Sequence, residues 1–310
     1  GSINRKFDRD LAYAIKKFRR SFNLKDGVYI DNKLLAYINL PKSYYIKKII
    51  VNLDKTKVFL PSFGKTYIEV NIPEFVARFY QNGVEVFQTN AIVGSLQHPT
   101  PIFDDYLEYI VINPTWSVPD SIIKRALIPA LKKYPNIFEI ANLKAYQRGK
   151  EVKPNIKKLL SIEGTNRPSP YRIVQMPGPN NALGRVKFMF PNKYAVYLHD
   201  TPEKGLFAHR YRYNSSGCIR LQDPYGLLEH LRPYLQNPNY EKYLKSGKTY
   251  KIRLKRKIPV HIVYFTLEFE GGAPKFMYDA YMYDKMIEES TPPNIKYDFV
   301  MPEVRLIEAK

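Results

Sequence analysis

The chain has 310 residues, of which 45% are hydrophobic and 25% charged, so it can bury a core and form more than one domain. A run of about 18 apolar residues, as a membrane-spanning helix needs, is absent, and the single cysteine excludes an intramolecular disulfide and a thiolate zinc cluster. The 49 Lys and Arg residues exceed the 29 Asp and Glu residues and give a net charge of +20, which favours anionic partners such as nucleic acid, acidic lipid or a wall polymer.

Residues 1–45 are predicted to form a small helical unit. The pattern breaks at Asp26-Gly27, a turn signal, before a second short apolar period. Apolar residues at helical spacing mark the first helix: Leu11, Ile15, Phe18 and Phe22.

Residues 46–280 are predicted to form a mainly β domain. From Ile46 apolar and polar residues alternate, in KKIIVNLDKTKVFLP and again in YIEVNIPEFVARFYQNGVEVFQTNAIVG, where Asn82-Gly83 marks a hairpin turn. Strands are expected again at RVKFMFPN, KYAVYLHD and KTYKIRLKRKIPVHIVYFTLEFEGGAPKF. Asp223-Pro224 predicts the start of a helix between the last two of these segments.

Two further segments complete the expected organisation. Residues 119–165 open with an Asp120-Ser121 capping signal and are predicted to be a helical insertion with Lys-rich loops. Residues 281–310 have no strong period and are predicted to be a C-terminal extension. The fold class expected from these patterns is α+β.

Cys218 is the residue most suited to covalent chemistry. It follows Ser215-Ser216-Gly217, where a glycine lets a substrate approach and the backbone N–H of Gly217 can point at an oxyanion. A buried, inert thiol beside a turn glycine is the structural alternative.

A catalytic thiol needs a base, and two histidines are near Cys218 in the chain. His199 ends the alternating strand YAVYLH, where its side chain would be held rigidly, whereas His209 lies in a loop. The pattern favours His199. Arg220 would share a strand face with Cys218 and could bind a substrate carboxylate, although a structural salt bridge is the competing interpretation.

These residues resemble the L,D-transpeptidase family, the cysteine enzymes that cross-link bacterial peptidoglycan. The resemblance comprises His199, a loop, Ser215-Ser216-Gly217-Cys218 and Arg220. Ser216 stands where the family usually has histidine, as in the capped branch of Gram-negative bacteria. Stretches such as NIPEFVARFYQNGVEVFQTNAIVG and PGPNNALGRVKFMFPNKYAVYLHDTPEKGLF extend the similarity over roughly residues 46–280.

The resemblance implies a function, a site and partners. Cys218 would be the nucleophile and His199 the base, with a backbone carbonyl orienting the histidine. The backbone N–H groups of Gly217 and Cys218 would be the oxyanion donors. Substrate-binding residues would be Arg220, Ser216 and Tyr197. No metal or cofactor is expected, the partners would be peptidoglycan stem peptides and carbapenem β-lactams, and the location would be the periplasm of a Gram-negative bacterium.

The same resemblance extends to the flanking parts of the chain. Residues 119–165 fall where the capped branch carries its helical cap over the active site. Residues 1–45 resemble the second half of a peptidoglycan-binding domain, of which the upstream helices are missing. We expect Gly1-Ser2 to be a cloning remnant, which leaves room for a membrane anchor upstream.

Two other functions remain open at this level. An L,D-carboxypeptidase would use water in place of the acceptor amine and trim stem peptides. A non-catalytic wall-binding module would use the +20 charge for adhesion. Nucleic acid is not expected as a partner, because the charge is spread over the chain and not gathered in one recognition motif.

Overall fold

The computed structural model of the chain describes residues 6–22, 24–57, 63–270 and 272–290. Its helices are α1 (Arg9–Ser21), α2 (Asn32–Ile38), α3 (Lys42–Thr56), α4 (Asp120–Ile122), α5 (Ile128–Lys133), α6 (Ile137–Ile140), α7 (Ile156–Leu160), α8 (Pro224–Leu231), α9 (Glu241–Ser246) and α10 (Tyr283–Ser290). A π-helical stretch, Ile123–Leu127, joins α4 to α5, and 3₁₀ turns occupy Ile72–Glu74, Lys204–Ala208 and Arg232–Tyr234.

The strands are β1 (Tyr67–Asn71), β2 (Val76–Gln81), β3 (Val84–Gly94), β4 (Phe103–Ile112), β5 (Trp116–Ser117), β6 (Leu143–Gln147), β7 (Lys150–Val152), β8 (Arg172–Gln175), β9 (Val186–Met189), β10 (Leu198–His199), β11 (Tyr213–Ser215), β12 (Ile219–Leu221), β13 (Tyr250–Val263), β14 (Leu267–Glu270) and β15 (Ala273–Phe276). Helix and sheet are both well represented, so the α+β class and the N-terminal helical unit are confirmed.

The chain divides into two compact units, Gly1–Phe59 with Thr266–Lys310 and Leu60–Phe265. The domain limits predicted at 45/46 and 280/281 therefore differ from those of the structure. In the first unit the β14–β15 hairpin packs on the N-terminal helices, because the ring of Phe276 stacks on Phe22 with 4.9 Å between centroids. The residues after 290 lie outside the described part of the chain.

The prediction of a strand over residues 47–61 is wrong where the structure describes this segment, because the segment forms helix α3 there. Residues 58–61 lie outside the described residues. Three of the four buried side chains of this helix are polar, and the fourth is Val51. The polar ones recur at the helical spacing i, i+4, i+7: Lys48, Asn52 and Lys55. An apolar period could not reveal this face, and the alternation of the apolar residues suggested a strand instead.

A buried ion cluster holds α10 against α3 within the first unit. The carboxylate of Asp284 accepts hydrogen bonds from the ammonium groups of Lys48 and Lys55 and from the hydroxyl of Thr266. Asn52 donates to the same hydroxyl oxygen at 2.9 Å. Burial tends to raise the pKa of Asp284, but the two ammonium groups outweigh it, so its pKa lies below the ordinary value.

The second unit is built on a nine-stranded sheet with the order β11-β3-β12-β10-β9-β4-β13-β1-β2, and β2 also pairs with β3. The sheet therefore closes on itself through β2 and β3, while β11 is added at the edge and, among the described strands, pairs only with β3. Its inward side chains form the core and are fully buried: Ile68, Phe79, Ile92, Leu107, Ile110, Phe188, Leu198 and Ile219. The predicted hairpin at Asn82-Gly83 is the turn between β2 and β3.

The predicted helix after β12 is α8, and its N-cap is Asp223, which accepts a hydrogen bond from the Gly226 N–H at 2.8 Å. The strand predicted over residues 193–200 is shorter than expected, because only Leu198–His199 pairs as β10. These two residues lie between β9 and β12 in the sheet.

The predicted helical insertion is a mixed subdomain. Helices α4 to α7 pack with a separate four-stranded sheet of order β5-β8-β6-β7, so the segment extends over residues 116–175 rather than 119–165. The strands β6 and β7 form a hairpin around Arg148-Gly149. The subdomain has its own apolar core: Ile123, Leu127, Ile128, Leu131, Leu159, Ile162 and Ile173.

Candidate active site

The candidate site lies on two neighbouring parallel strands, β10 and β12. Their register pairs Leu198 with Ile219 and His199 with Arg220, and the Ile219 N–H donates to Tyr197 O at 3.1 Å. Cys218 directly precedes β12 and therefore lies beside Tyr197. Because strand side chains alternate, Tyr197, His199, Cys218 and Arg220 share the face opposite the core.

The imidazole of His199 is held in one tautomer. Its side chain is only 4% exposed, and Nδ1 is hydrogen-bonded to the backbone carbonyl of Asp200. A carbonyl can only accept, so Nδ1 carries the proton and Nε2 keeps its lone pair. The backbone carbonyl expected to orient this histidine is thus confirmed.

Burial lowers the pKa of His199 to about 3, and the nearby charges of Arg220, Lys187 and Lys204 act in the same direction. The hydrogen bond to Asp200 opposes this effect but does not cancel it. The imidazole is consequently neutral at pH 7, as a general base must be before it accepts a proton.

The carboxylate of Asp200, to which the sequence assigned no role, fixes the turn that follows His199. It accepts a hydrogen bond from the Arg185 N–H at 2.9 Å and pairs with the Lys204 ammonium at 2.8 Å. Gly184 has a φ of +59°, and a Cβ there would lie 2.3 Å from this carboxylate. The close approach of backbone and carboxylate requires glycine at this position.

The thiol of Cys218 is half-buried and points toward backbone oxygen, with Sγ 3.7 Å from Ala195 O. Burial raises its pKa above the ordinary value. Hydrogen bonds from the backbone and side chain of Tyr197, and the charges of Lys187 and Arg220, act in the opposite direction. The resting site therefore holds a neutral thiol, and the hydrogen bonds and positive charges around it would stabilise the thiolate once it forms.

The thiol of Cys218 and the imidazole of His199 share a face without a direct hydrogen bond between them. As diagonal neighbours on adjacent strands, such residues lie about 7–8 Å apart at Cα. Catalytic hydrogen bonds are often incomplete before substrate binds.

Several buried hydrogen bonds anchor the loop that carries Cys218. The Thr100 hydroxyl donates to Gly217 O at 2.8 Å, and the Ser215 hydroxyl donates to Cys218 O. The Gly217 N–H donates to Ser215 Oγ at 3.1 Å. This bond occupies the N–H that was predicted to stabilise an oxyanion, so Gly217 does not offer a free donor. The Cys218 N–H, the other predicted donor, has no acceptor among the described residues.

The other predicted substrate-binding residues have different surroundings. Arg220 is paired with the Glu203 carboxylate, so its guanidinium already has an anionic partner. Ser216 is exposed, and its hydroxyl accepts a hydrogen bond from Arg125 at 2.8 Å. Tyr197 lies against the thiol, as described above. For Arg220 the sequence left substrate binding and a structural salt bridge open, and the structure shows the salt bridge.

His209, the alternative base, lies elsewhere. It ends the 3₁₀ turn Lys204–Ala208 and is exposed. Its carbonyl accepts a hydrogen bond from Arg212, and its ring makes no hydrogen bond to Cys218. The structure thus brings His199, and not His209, to the face that carries the thiol.

Two residues of the site were missed by the sequence analysis. Lys187 pairs with His199 across β9 and β10, and its ammonium lies 3.8 Å from the ring centroid of Tyr197. The alternation of RVKFMF, in which Val186 and Phe188 are buried, could have placed this lysine on the site face. Arg125 comes from the inserted subdomain, and no local pattern links it to the loop.

Within the described residues no group of three His, Cys, Asp or Glu side chains is arranged to hold a metal ion. The same part of the chain contains no helix long and apolar enough to cross a membrane.

A family model described as YkuD, L,D-transpeptidase catalytic domain, matches residues 65–261. A Haemophilus influenzae protein named "Putative L,D-transpeptidase" is 32% identical over 249 residues, which is 79% of this chain and 50% of that protein. The chain thus spans half the length of this relative.

Among solved structures, similarity is found to an L,D-transpeptidase from Mycobacterium smegmatis and to the LD transpeptidase LdtMt1 in complex with imipenem. They are 13% and 14% identical, with TM-scores of 0.31 and 0.29, and the match covers 64% of this chain and 58% and 59% of theirs. At these values neither structure carries an argument. The family model and the Haemophilus relative show the family, and the chain therefore belongs to the L,D-transpeptidase catalytic-domain family.

Proposed function

We propose that the chain cross-links peptidoglycan through a thioester on Cys218. In the first half-reaction, Sγ attacks the carbonyl between the L-centre of diaminopimelate and the terminal D-Ala of a tetrapeptide stem. The C–N bond breaks, D-Ala leaves, and the stem stays on sulfur as a thioester. In the second, an amine of another stem attacks this thioester, forms the new amide and frees the thiol.

His199 carries the proton through both steps. Nε2 accepts the thiol proton and then delivers it to the departing amine of D-Ala, after which it accepts a proton from the attacking amine and returns it to sulfur. The observation that supports this role most strongly is the Nδ1–H bond to Asp200 O, which leaves Nε2 unprotonated. The low pKa of His199, about 3, keeps this nitrogen free at neutral pH.

The residues around sulfur stabilise the charge that develops during transfer. Lys187 and the Tyr197 side chain lower the pKa of the Cys218 thiol against the effect of burial, and they act most strongly when the proton has left. The backbone N–H of Cys218 would donate to the tetrahedral oxyanion. No metal or cofactor takes part in this scheme.

The same site would serve an L,D-carboxypeptidase if water reached the thioester before the acceptor amine. The inserted subdomain, residues 116–175, contacts the Cys218 loop through Arg125 and Ser216, which places it where it can limit the access of water. We therefore favour transfer over trimming. The substrate locates the reaction in the periplasm, and we propose that a carbapenem would acylate Cys218 in place of a stem.

The experiment is an incubation of the purified chain with a disaccharide-tetrapeptide, followed by chromatographic and mass analysis of the products. We expect D-Ala release together with cross-linked dimers. Trimmed tripeptide without dimers would identify a carboxypeptidase, and no D-Ala release at all would contradict an enzyme of this class.

A matched pair of variants tests the base. His199→Ala should slow D-Ala release by about a hundredfold or more, as expected when a positioned acid–base group is lost, whereas His209→Ala, at an exposed loop position, should leave the rate near wild type. A slower His209→Ala variant, with both variants shown to be folded by circular dichroism, would move the base to the loop.

A further inference from the structure

An arginine of the inserted subdomain reaches the loop that carries Cys218. Arg125 lies in the π-helical stretch Ile123–Leu127, and its Nη2 donates to Ser216 Oγ at 2.8 Å. Its Nη1 lies 3.0 Å from Nε2 of His98, a residue between β3 and β4. Because a guanidinium has no lone pair to offer, it is the donor in both bonds. Three separate segments thus meet at one cation beside the candidate nucleophile.

The charge of Arg125 is not neutralised within the described part of the chain. Its two hydrogen-bond partners, a hydroxyl and an imidazole nitrogen, carry no negative charge, and the ion pairs of the described residues do not include it. Arg220, the other arginine near Cys218, is paired with Glu203. Arg125 is also exposed, and a guanidinium has five N–H donors, so donors remain for a ligand.

We propose that Arg125 binds the terminal carboxylate of the donor stem peptide while the scissile carbonyl of that peptide lies at Cys218. This inference rests on the function proposed above, because it concerns the same site and the same donor. The carboxylate of D-Ala is one residue from the carbonyl that sulfur attacks. Ser216 is two residues from Cys218, a span of at most about 7 Å between Cα atoms. The guanidinium that donates to Ser216 is therefore near enough to Cys218 to bind a carboxylate one residue beyond the scissile carbonyl.

A guanidinium suits this ligand because its fork can bind both oxygens of a carboxylate at once. Arg220 was the residue expected to do this from the sequence, but its pairing with Glu203 makes it the poorer candidate. Since Arg125 belongs to the inserted subdomain, binding of the carboxylate would also tie that subdomain to a correctly placed donor. The subdomain would then select donors that end in a free carboxylate one residue beyond the scissile bond.

The test compares two donors, a tetrapeptide stem with a free D-Ala carboxylate and the same stem with a C-terminal amide. Release of D-Ala or of its amide is measured for wild type, Arg125→Gln and Arg125→Lys. Arg167→Gln is the control, since Arg167 is an exposed arginine of the same subdomain that donates to Ser161 O at 2.6 Å. All variants are checked for folding by thermal unfolding.

We expect Arg125→Gln to lower kcat/KM on the acid donor by about ten- to a hundredfold, the loss typical of a charged hydrogen bond. The amide donor should be affected little, so that the preference of the wild type for the acid disappears. Arg125→Lys, which keeps the charge without the fork, should be intermediate on the acid donor, and Arg167→Gln should behave as wild type.

Other results would overturn the inference. An equal loss on both donors would show that Arg125 only latches the subdomain to Ser216, and wild-type rates in Arg125→Gln would show that it does not bind the donor. If Arg125→Gln fails to fold, an unchanged acid preference in Arg125→Lys contradicts the proposal. If wild type releases nothing from either donor, the proposed function fails and the inference fails with it.

Discussion

The buried histidine makes a quantitative prediction for stability against pH. His199 has a folded-state pKa of about 3 against an ordinary value of 6.5, so between these values the unfolded chain binds a proton that the folded chain does not. The contribution of His199 to stability is therefore complete above about pH 6.5 and is lost as the pH falls toward 3. Each pKa unit corresponds to about 1.4 kcal/mol, and between pH 7 and pH 4 the loss is about 3 kcal/mol.

The perturbation that isolates this effect is His199→Gln, whose side chain does not titrate. Urea unfolding of wild type and variant is measured from pH 7 to pH 4, and the difference in the free energy of unfolding is taken at each pH, so that contributions from other groups cancel. The wild type should lose about 3 kcal/mol more than the variant over this range. Parallel pH profiles would refute the reasoning, because they would mean that His199 titrates alike in both states.

Three further changes follow from the same structure. Asp284→Ala removes the carboxylate that accepts hydrogen bonds from two buried ammonium groups, and it should lower the free energy of unfolding by about 3–5 kcal/mol. Glu289→Ala, in an exposed pair with Lys285 on the same helix, should cost at most about 1 kcal/mol. Equal losses in denaturant unfolding would contradict this. Because burial raises the pKa of Cys218, its alkylation by iodoacetamide should be slow at pH 7. The alkylation rate should still rise with pH above the ordinary thiol pKa of about 8.5. A rate that has already reached its plateau at pH 7 would be inconsistent with the structure. Since Lys187 lowers the pKa of the thiol, Lys187→Met should move the midpoint of that alkylation profile to higher pH, and a midpoint that is unchanged or lower would exclude this role.

The elements with an apolar period could be predicted from sequence, and those with a polar buried face could not. The alternation around β2 and β3 and the Asp223 cap of α8 correspond to the structure. Helix α3 does not, because the charges of Lys48 and Lys55 are buried only through their pairing with Asp284. That carboxylate lies more than 200 residues away in the chain, so no local pattern contains the information.

The site shows the same division between local and distant information. His199 could be found because it ends a predicted strand, and Cys218 because it is the single cysteine and follows Ser215-Ser216-Gly217. The pairing of Arg220 with Glu203 was one of two open interpretations, and geometry was needed to choose between them. Arg125 could not be found at all, since the fold of the inserted subdomain brings it to Ser216 across 91 residues.

The central claim is that Cys218 carries the stem peptide as a thioester. The most direct measurement is the intact mass of the protein after brief incubation with a tetrapeptide stem and acid quenching, followed by peptide mapping of the adduct. If Cys218 carries the stem, the mass of the protein increases by that of the stem without its D-Ala, and the adduct lies on Cys218 and is absent in Cys218→Ala. Release of D-Ala by a folded Cys218→Ala variant, or an adduct on another residue, would contradict it.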